Sequence, residues 1–293
     1  MPAIESSDGP AAQTAARRLP GAAIVAMLRA AGCVFAEDEA ALLSTEFVDP
    51  TRRAAAVARR IAGEPLEQIL GWAEFQGLRI VVERGVFVPR QRTGVLVAQA
   101  LAILNASGRV APVVVDLCCG SGAIAAAVTA RRPDAEVHAV DIDEAAVRCA
   151  QRNLAAGAVH HGDLFAALPV ALAGRIDVLV VNAPYVPTAQ VALLPREARE
   201  HEPRLALDGG PDGLDLHRRI IGSAAGWLAP GGHLLIESSE QQADVSAGLM
   251  RAAGLTTRLA HDDEIDGTAV VGRRPSRLVA PTRARSDVAT ATE

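Results

Sequence analysis

The stretch that decides the fold reads VVVDLCCGSGAIAAA over residues 113–127. Its first five residues are mostly β-branched and apolar and predict a buried strand, whereas its alanine-rich end predicts a helix. Between them, Gly120 and Gly122 permit a tight turn in which backbone can approach a ligand closely. The free N–H groups that open the following helix favour an anionic or carboxylate-bearing partner. The stretch therefore predicts a strand, a turn and a helix, and by itself it also fits an ordinary tight turn that binds no ligand.

The same alternation of strand and helix continues toward the C-terminus. Four further apolar runs alternate with helical stretches, at 137–142, 159–161, 176–181 and 233–237. Such alternation predicts a parallel sheet covered by helices, so the fold class is α/β. The runs 255–260 and 268–272 follow each other without a helix between them and predict a hairpin at one edge of the sheet.

The first quarter of the chain has a different pattern. Residues 16–72 place apolar side chains at helical spacing, with breaks at Gly32 and Pro50, and predict a small helical domain. Residues 73–92 predict a hairpin linker, with strands at 78–82 and 86–88 around the turn signal Glu83-Arg84-Gly85.

The second predicted domain covers 93–274 and opens with an apolar helix from Thr93 to Leu104. The two ends, 1–15 and 275–293, lack a sustained apolar period, and we expect them to be loose.

Composition excludes several kinds of chemistry. All 29 basic residues are arginines, so no lysine can form a Schiff base or hold nucleotide phosphates in a P-loop. The net charge of -5 gives no global field for nucleic acid, and no apolar run is long enough to cross a bilayer. Four cysteines and seven histidines lack metal-ligand spacing. We expect a cytoplasmic protein without a metal site, with reduced, buried thiols and no direct nucleic-acid or membrane partner.

Acidic residues after the next two strands indicate an adenosine ligand. Asp141 ends the second strand, where a carboxylate can accept hydrogen bonds from both ribose hydroxyls. Asp163 follows the third strand, where it could accept the adenine amino hydrogens while Leu164 covers the ring; a solvated helix N-cap explains Asp163 equally well. We call residues 118–122, between the first strand and its helix, the glycine turn. These residues alone leave NAD and S-adenosylmethionine both open, because the sequence from Gly120 onward also fits a weak dinucleotide pattern.

The fourth strand, 176–181, is followed directly by Asn182-Ala183-Pro184-Tyr185. Open α/β sheets bind ligands at this edge, and Tyr185 is the only tyrosine of the chain. A primary amide has two N–H donors in one plane, which the Asn182 side-chain oxygen and the Ala183 carbonyl can accept while Tyr185 packs on its face. We call residues 182–185 the amide clamp and expect it to aim an amide nitrogen at a methyl donor.

With these motifs the chain resembles the protein-(glutamine-N(5)) methyltransferases, which modify the Gly-Gly-Gln glutamine of peptide-chain release factors. The match runs from about residue 20 to 273 and includes Glu64 to Leu66, Gln68 to Gly71, Glu74 to Leu78, Val88 to Arg90, Asp116 to Gly122, Asp141, Asn182 to Tyr185, Glu202-Pro203, Ala206 to Gly210, Gly213-Leu214 and Pro230 to Gly232 before Glu237. The resemblance implies a Rossmann-like class I methyltransferase sheet, S-adenosylmethionine as cofactor, and N-terminal helices that recognise a protein substrate. We expect the protein to be a monomer.

The residue patterns and the resemblance together give the residues that we expect to act. The expected cofactor-binding residues are Asp116, Cys118, Cys119, Gly120, Ser121, Gly122, Asp141, Asp163, Leu164 and Asn182. The expected catalytic residues are Asn182, Ala183, Pro184 and Tyr185.

Three departures mark a divergent subgroup. Ala183 stands where the family usually has proline, but the backbone carbonyl is kept. Cys118 stands where glycine is usual, which predicts that its backbone avoids positive φ and puts cofactor affinity at risk. Gly94 stands where a glutamate normally follows Thr93, so the substrate could be a different protein glutamine or a small amide.

Three rival functions remain at this stage. An amino-methyltransferase for nucleobases would use the same clamp, although the acidic charge opposes it. A catalytically silent cofactor-binding protein is opposed by the intact Asn182 and Tyr185. An NAD dehydrogenase lacks an evident acid or base for hydride transfer.

Overall fold

The computed structural model of the protein describes residues 21–155 and 158–276. The expected loose ends, 1–15 and 275–293, lie outside the described residues except for 275 and 276. The helices are α1 Gly21–Ala30, α2 Ala36–Glu46, α3 Pro50–Ile61, α4 Leu66–Leu70, α5 Gly94–Ser107, α6 Ala123–Arg131, α7 Glu144–Asn153, α8 Arg196–His201, α9 Asp215–Trp227 and α10 Glu240–Ala252. The strands are β1 Trp72–Phe75, β2 Leu78–Val81, β3 Val113–Leu117, β4 Glu136–Asp141, β5 Val159–His161, β6 Ile176–Val181, β7 Leu228–Glu237, β8 Thr256–Asp262 and β9 Gly267–Arg273.

Helices α1 to α4 share a hydrophobic core of their own. Ile24, Leu28, Leu43 and Val57 are fully buried in it. Pro50 does not simply break the pattern, because it is the first residue of α3, where its fixed φ suits a helix start and its missing N–H costs nothing. The side chain of Asp49 caps that start by accepting the Arg52 N–H at 2.8 Å.

The linker hairpin lies earlier in the sequence than predicted. β1 and β2 pair around Gln76 and Gly77, whose φ of 54° and 75° are typical of a type I′ turn. The predicted strand at 86–88 is wrong. Backbone groups there bond to side chains, since the Val86 carbonyl accepts from Gln68 and the Val88 N–H donates to Glu202.

The seven-stranded sheet has the order β5-β4-β3-β6-β7-β9-β8. Strands β3 to β7 are parallel, while β9 and β8 add an antiparallel hairpin at one edge, as predicted. The predicted α/β fold class is thereby confirmed. None of the helices described here is long and apolar enough to span a membrane.

Strand order reverses at β3, because β4 and β5 lie on one side of it and β6 and β7 on the other. Every residue of β3 and β6 is buried, which explains why both read as continuous apolar runs. Ligands of open α/β sheets bind beyond the carboxyl ends of the strands at such a reversal. The turn after β3 and the amide clamp after β6 therefore meet at one edge.

Candidate functional site

One open cavity at this edge joins the glycine turn to the amide clamp. Of the residues expected at the site, it is lined by Cys118, Cys119, Gly120, Ser121, Asp141, Asp163, Leu164, Asn182, Ala183, Pro184 and Tyr185. Two expected residues stand behind its wall. Asp116 is fully buried in β3, and Gly122 is the N-cap residue that precedes α6, with a φ of 75°. A Cβ at Gly122 would meet Leu154 and Ala150 at 3.1 and 3.2 Å, so this glycine allows α6 to pack closely against its neighbours.

The prediction that Cys118 avoids positive φ is wrong, because its φ is 59°. The turn imposes this conformation. The Cys119 N–H donates to the Val140 carbonyl at 3.0 Å, and the Gly122 N–H donates to the Cys119 carbonyl at 2.8 Å. A side chain in the left-handed region costs about 1–2 kcal/mol, which the two hydrogen bonds and the packing of the turn offset.

Asp141 holds the glycine turn from the adjacent strand. Its Oδ2 accepts the Gly120 N–H at 2.8 Å, and its Oδ1 accepts the Asp143 N–H at 2.9 Å. Each carboxylate oxygen keeps acceptor capacity for a ligand hydroxyl. Burial raises the pKa of Asp141, against the opposing effect of these N–H donors.

Burial also perturbs the other groups behind the turn. It raises the pKa of Asp116 to about 8, although the Ala125 N–H donates to that carboxyl at 3.1 Å. Desolvation by burial likewise raises the pKa of the Cys118 and Cys119 thiols, which keeps them protonated. Both cysteines are free thiols, and their protonated state disfavours redox or nucleophilic chemistry.

Asp163 does not cap the short helical turn that follows it. Its Oδ2 instead accepts a hydrogen bond of 2.6 Å from Arg219 on α9, a residue that also lines the cavity. Leu164 follows with a φ of 48°, half-buried against the core. The arrangement keeps both residues at the cavity wall.

Asn182 of the amide clamp is bonded to the turn that opens α5. Its Nδ2 donates a hydrogen bond of 3.1 Å to Oγ1 of Thr93, a buried residue that also lines the cavity. Within the described residues, Oδ1 of Asn182 has no hydrogen-bond donor. The clamp therefore keeps a free side-chain acceptor beside the Ala183 carbonyl.

Tyr185 is anchored through its hydroxyl. That hydroxyl donates to Oε1 of Glu237 at 3.1 Å, and Arg92 approaches the same oxygen at 3.4 Å. Burial and the Glu237 charge raise the pKa of Tyr185 to about 12. The other Glu237 oxygen, Oε2, is buried without a hydrogen-bond partner in the described part of the chain. The phenol is thus neutral and fixed at the end of β7.

Two glycines let a neighbouring loop lie against the clamp backbone. A Cβ on Gly209 would lie 2.6 Å from the Pro184 carbonyl oxygen, and one on Gly213 would lie 2.2 Å from that of Tyr185. Gln242 donates to the Tyr185 carbonyl at 2.9 Å. The glycines of the Ala206 to Gly210 and Gly213-Leu214 segments therefore have a packing role beside the amide clamp.

Gly94, the third departure, does not line the cavity. A Cβ there would point at Gln76, whose Nε2 would be 2.4 Å away, and at Ile265. A side chain at position 94 would therefore point toward the β1–β2 hairpin. Gly94 and the two residues that its Cβ would meet, Gln76 and Ile265, are all absent from the cavity wall.

Sequence reasoning missed four side chains of this region: Arg92, Thr93, Arg219 and Glu237. Arg92, Thr93 and Glu237 lie inside or next to segments that resemble motifs of the family, and that resemblance was the signal that could have identified them. Arg219 had no such signal. Across 21–155 and 158–276, no three histidine, cysteine, aspartate or glutamate side chains are grouped to hold a metal ion.

Comparison with known proteins agrees with this geometry. The family model "Methyltransferase small domain" matches residues 78–198. The release factor glutamine methyltransferase of Streptomyces coelicolor is 43% identical over 188 residues, which are 64% of this chain and 66% of that protein. The enzyme of the same name from Geobacter sulfurreducens is 41% identical over 225 residues, which are 74% of this chain and 76% of that protein.

A relative with a different name is as similar. The 4-amino-L-phenylalanine/4-methylamino-L-phenylalanine methyltransferase of Streptomyces pristinaespiralis is 41% identical over 203 residues, covering 68% of this chain and 69% of that protein. The extent of the first matches, together with the glycine turn and the amide clamp on one cavity, assigns the family. The chain belongs to the release factor glutamine methyltransferase family of S-adenosylmethionine-dependent enzymes.

Proposed function

We propose that this chain methylates the side-chain amide nitrogen of a protein glutamine, and that the protein is a peptide-chain release factor with a Gly-Gly-Gln motif. The observation that carries the proposal is the state of Asn182. Its donor end is taken by Thr93, and its acceptor end is free in the cavity that also contains the glycine turn. A primary amide offers the two N–H donors that Asn182 Oδ1 and the Ala183 carbonyl can accept.

The glycine turn fits S-adenosylmethionine. A Cβ added to Gly120 would meet only Phe87 Cβ, at 4.0 Å, so the backbone here is open to a ligand. Asp116 Oδ1 is buried and has no partner among the described residues. We propose that Asp141 accepts hydrogen bonds from the ribose hydroxyls and that Asp163 and Leu164 form the wall against adenine; all three residues line the cavity. When bound, the cofactor supplies an electrophilic methyl group.

The amide clamp compensates for the low nucleophilicity of an amide nitrogen. An amide nitrogen is a weak nucleophile because its lone pair is delocalised onto the carbonyl. Two acceptors that hold both N–H groups orient that nitrogen and stabilise the positive charge that develops on it. Tyr185, fixed through Glu237, packs against the amide face and limits its motion. Once the new N–C bond has formed, the nitrogen loses one of its two protons to solvent and returns to a neutral amide.

The helices preceding the sheet are the proposed recognition domain, residues 16–72, joined by a linker, 73–92, to the methyltransferase domain, 93–274. Arg60 of α3 supports a fixed arrangement, since it pairs with Glu39 at 2.6 Å and with Glu197 of α8 at 2.8 Å. We propose further that the protein acts as a cytoplasmic monomer and that it makes no direct contact with nucleic acid.

A second candidate is N-methylation of a small aromatic amine. The similarity to the 4-amino-L-phenylalanine methyltransferase favours it, because an aryl amino group also presents two N–H donors to the clamp. The two candidates differ in what must reach the cavity. A protein loop needs the surface around its mouth, whereas a free amino acid needs only the cavity itself.

The test is methyl transfer from labelled S-adenosylmethionine to three substrates: purified release factor, whole-cell protein extract and 4-amino-L-phenylalanine. Asn182→Ala is compared with Asn105→Ala, a matched change at an exposed position on α5. Label on the release-factor glutamine that Asn182→Ala abolishes and Asn105→Ala retains is the expected result. Label on the free amino acid alone would support the second candidate function. Label on another protein would retain protein methylation and replace only the proposed substrate.

A further inference from the structure

The carboxamide of Gln242, in the first turn of α10, is held in one orientation by three hydrogen bonds. Its Nε2 donates to the backbone carbonyls of Tyr185 and Asp212, each at 2.9 Å, and its Oε1 accepts the hydroxyl of Ser239 at 2.7 Å. Backbone carbonyls can only accept, so a reversed carboxamide would direct its oxygen at two other oxygens. The Ser239 hydroxyl is then the donor in the third bond, because Oε1 carries no hydrogen. The direction of all three bonds is therefore fixed.

In an inference that rests on the proposed function, we propose that Gln242 is a positioning residue that fixes Tyr185 of the amide clamp from its backbone side. The Tyr185 side chain is held at its far end, where the hydroxyl donates to Glu237 at 3.1 Å. Within the described residues, the Tyr185 carbonyl accepts a hydrogen bond from Gln242 alone. Glu237 ends β7 and Gln242 lies in the next helix, so one strand-to-helix connection holds both ends of Tyr185.

Gly213 leaves the space that this contact needs. A Cβ at position 213 would overlap both the Tyr185 carbonyl oxygen and Nε2 of Gln242. A side chain there would therefore separate the donor from its acceptor. The second bond of Gln242, to the Asp212 carbonyl, ties the loop that carries Gly213 to the same side chain. The close approach of this loop thus serves a defined hydrogen bond to the amide clamp.

Ser239 orders the Gln242 side chain and does not cap the helix. It is the N-cap residue of α10, a position where a serine side chain commonly accepts a backbone N–H. Here the side chain makes no such capping bond, and its hydroxyl donates to Oε1 of Gln242. The NH₂ group of Gln242 is thereby directed at the two carbonyls.

The position of Tyr185 affects the rate of methyl transfer, because its ring packs on the face of the substrate amide. A displacement of about 1 Å at a reacting centre can lower the rate about 100-fold. Gln242 does not line the cavity and acts on it through Tyr185. Loss of its donors should therefore lower kcat and leave the affinity for S-adenosylmethionine unchanged.

The test replaces Gln242 by methionine, which has a similar length and no hydrogen-bond donor. The matched control is Gln241→Met, the same change at an exposed neighbouring position whose side chain makes no hydrogen bond within the described residues. Ser239→Ala is a milder variant, because it keeps the Gln242 donors and removes only the bond that orients them. Thermal melting and S-adenosylmethionine binding check that all three variants fold.

The position of Tyr185 can be followed directly. Tyr185 is the only tyrosine, so tyrosine labelled with 13C in its carbonyl and ring gives nuclear magnetic resonance signals from this residue alone. A hydrogen bond to a carbonyl deshields its carbon. In Gln242→Met we therefore expect the Tyr185 carbonyl signal to move upfield and the ring signals to change. Ser239→Ala should move them in the same direction by less, and Gln241→Met should match wild type.

The kinetic readout is kcat with the substrate that the wild-type protein methylates, release factor or 4-amino-L-phenylalanine. We expect kcat to fall by about 10–100-fold in Gln242→Met and by about 2–10-fold in Ser239→Ala, with KM for S-adenosylmethionine within about 3-fold of wild type. A folded Gln242→Met protein with unchanged Tyr185 signals or unchanged kcat would overturn the proposal, and so would an equal fall of kcat in Gln241→Met.

The two proposals can fail separately. If the wild-type protein methylates neither substrate, the proposed function fails. The Tyr185 signals then decide the role of Gln242 by themselves, and unchanged signals in Gln242→Met would overturn it.

Discussion

Replacing Asp141 by asparagine tests how the cofactor end of the site works. The carboxylate accepts two backbone N–H groups, from Gly120 at 2.8 Å and Asp143 at 2.9 Å. Asparagine has one oxygen and one NH₂ group, so one of these N–H groups would face a donor. The glycine turn would then lose its support from β4, and the proposed acceptor for the ribose would lose its charge.

A hydrogen bond to a charged group contributes about 1.5–3 kcal/mol, which corresponds to about 10–150-fold in Kd. We therefore expect Asp141→Asn to weaken S-adenosylmethionine binding by about that factor in calorimetric titration. The matched control is Asp143→Asn, which makes the same charge change two residues away. Asp143 caps α7 by accepting the Ala145 N–H at 2.8 Å, and asparagine caps equally well.

Circular dichroism and the melting temperature show whether the Asp141→Asn protein is folded. If a folded Asp141→Asn protein bound S-adenosylmethionine within twofold of wild type, Asp141 would not be a cofactor ligand. If both variants lost affinity equally, the effect would come from the lost negative charge in this region, and the specific role of the two hydrogen bonds would be refuted.

Two further predictions concern the clamp support and a buried histidine. Gly209→Ala should lower kcat, because its Cβ would lie 2.6 Å from both the Pro184 and Gly213 carbonyl oxygens. Gly222→Ala on α9, where a Cβ would have no atom within 4 Å, should leave kcat unchanged and raise the unfolding free energy by up to about 1 kcal/mol. Equal kcat in the two variants would contradict the role of the close approach. Burial lowers the pKa of His217 from 6.5 to about 4. Between these two pH values the unfolded chain therefore binds more protons than the folded protein. The unfolding free energy should fall by up to about 1.4 kcal/mol per pH unit as the pH drops from 6.5 to 4. Urea unfolding of wild type and His217→Gln at pH 7 and 5 measures this, and identical pH dependence in the two proteins would refute it.

Local patterns in the sequence determined the fold and the two ends of the site. A buried parallel strand must be apolar on both faces, so β3 and β6 can be read as continuous runs. The carboxyl ends of parallel strands share an edge, so the turn after β3 and the clamp after β6 lie at the same edge of the sheet. The edge hairpin of β8 and β9 followed from the missing helix between them.

Two local predictions failed because the tertiary structure overrode the residue preference. Cys118 adopts positive φ since hydrogen bonds of the turn fix the backbone there. The segment 86–88 has strand-like residues, but its backbone groups are bound by Gln68 and Glu202 and have no strand partner. In each case groups distant in the sequence determined the local conformation.

What the sequence determined by itself is which chemical groups arrive at the sheet edge: the glycine turn, Asp141, Asp163 and the amide clamp. What only the tertiary structure decided is how those groups are oriented. Thr93 and Asn182 are 89 residues apart, Arg92 and Glu237 are 145 apart, and Asp163 and Arg219 are 56 apart. Such pairs leave no local periodicity or spacing in the chain, because the distance that matters to a hydrogen bond exists only after the sheet has assembled.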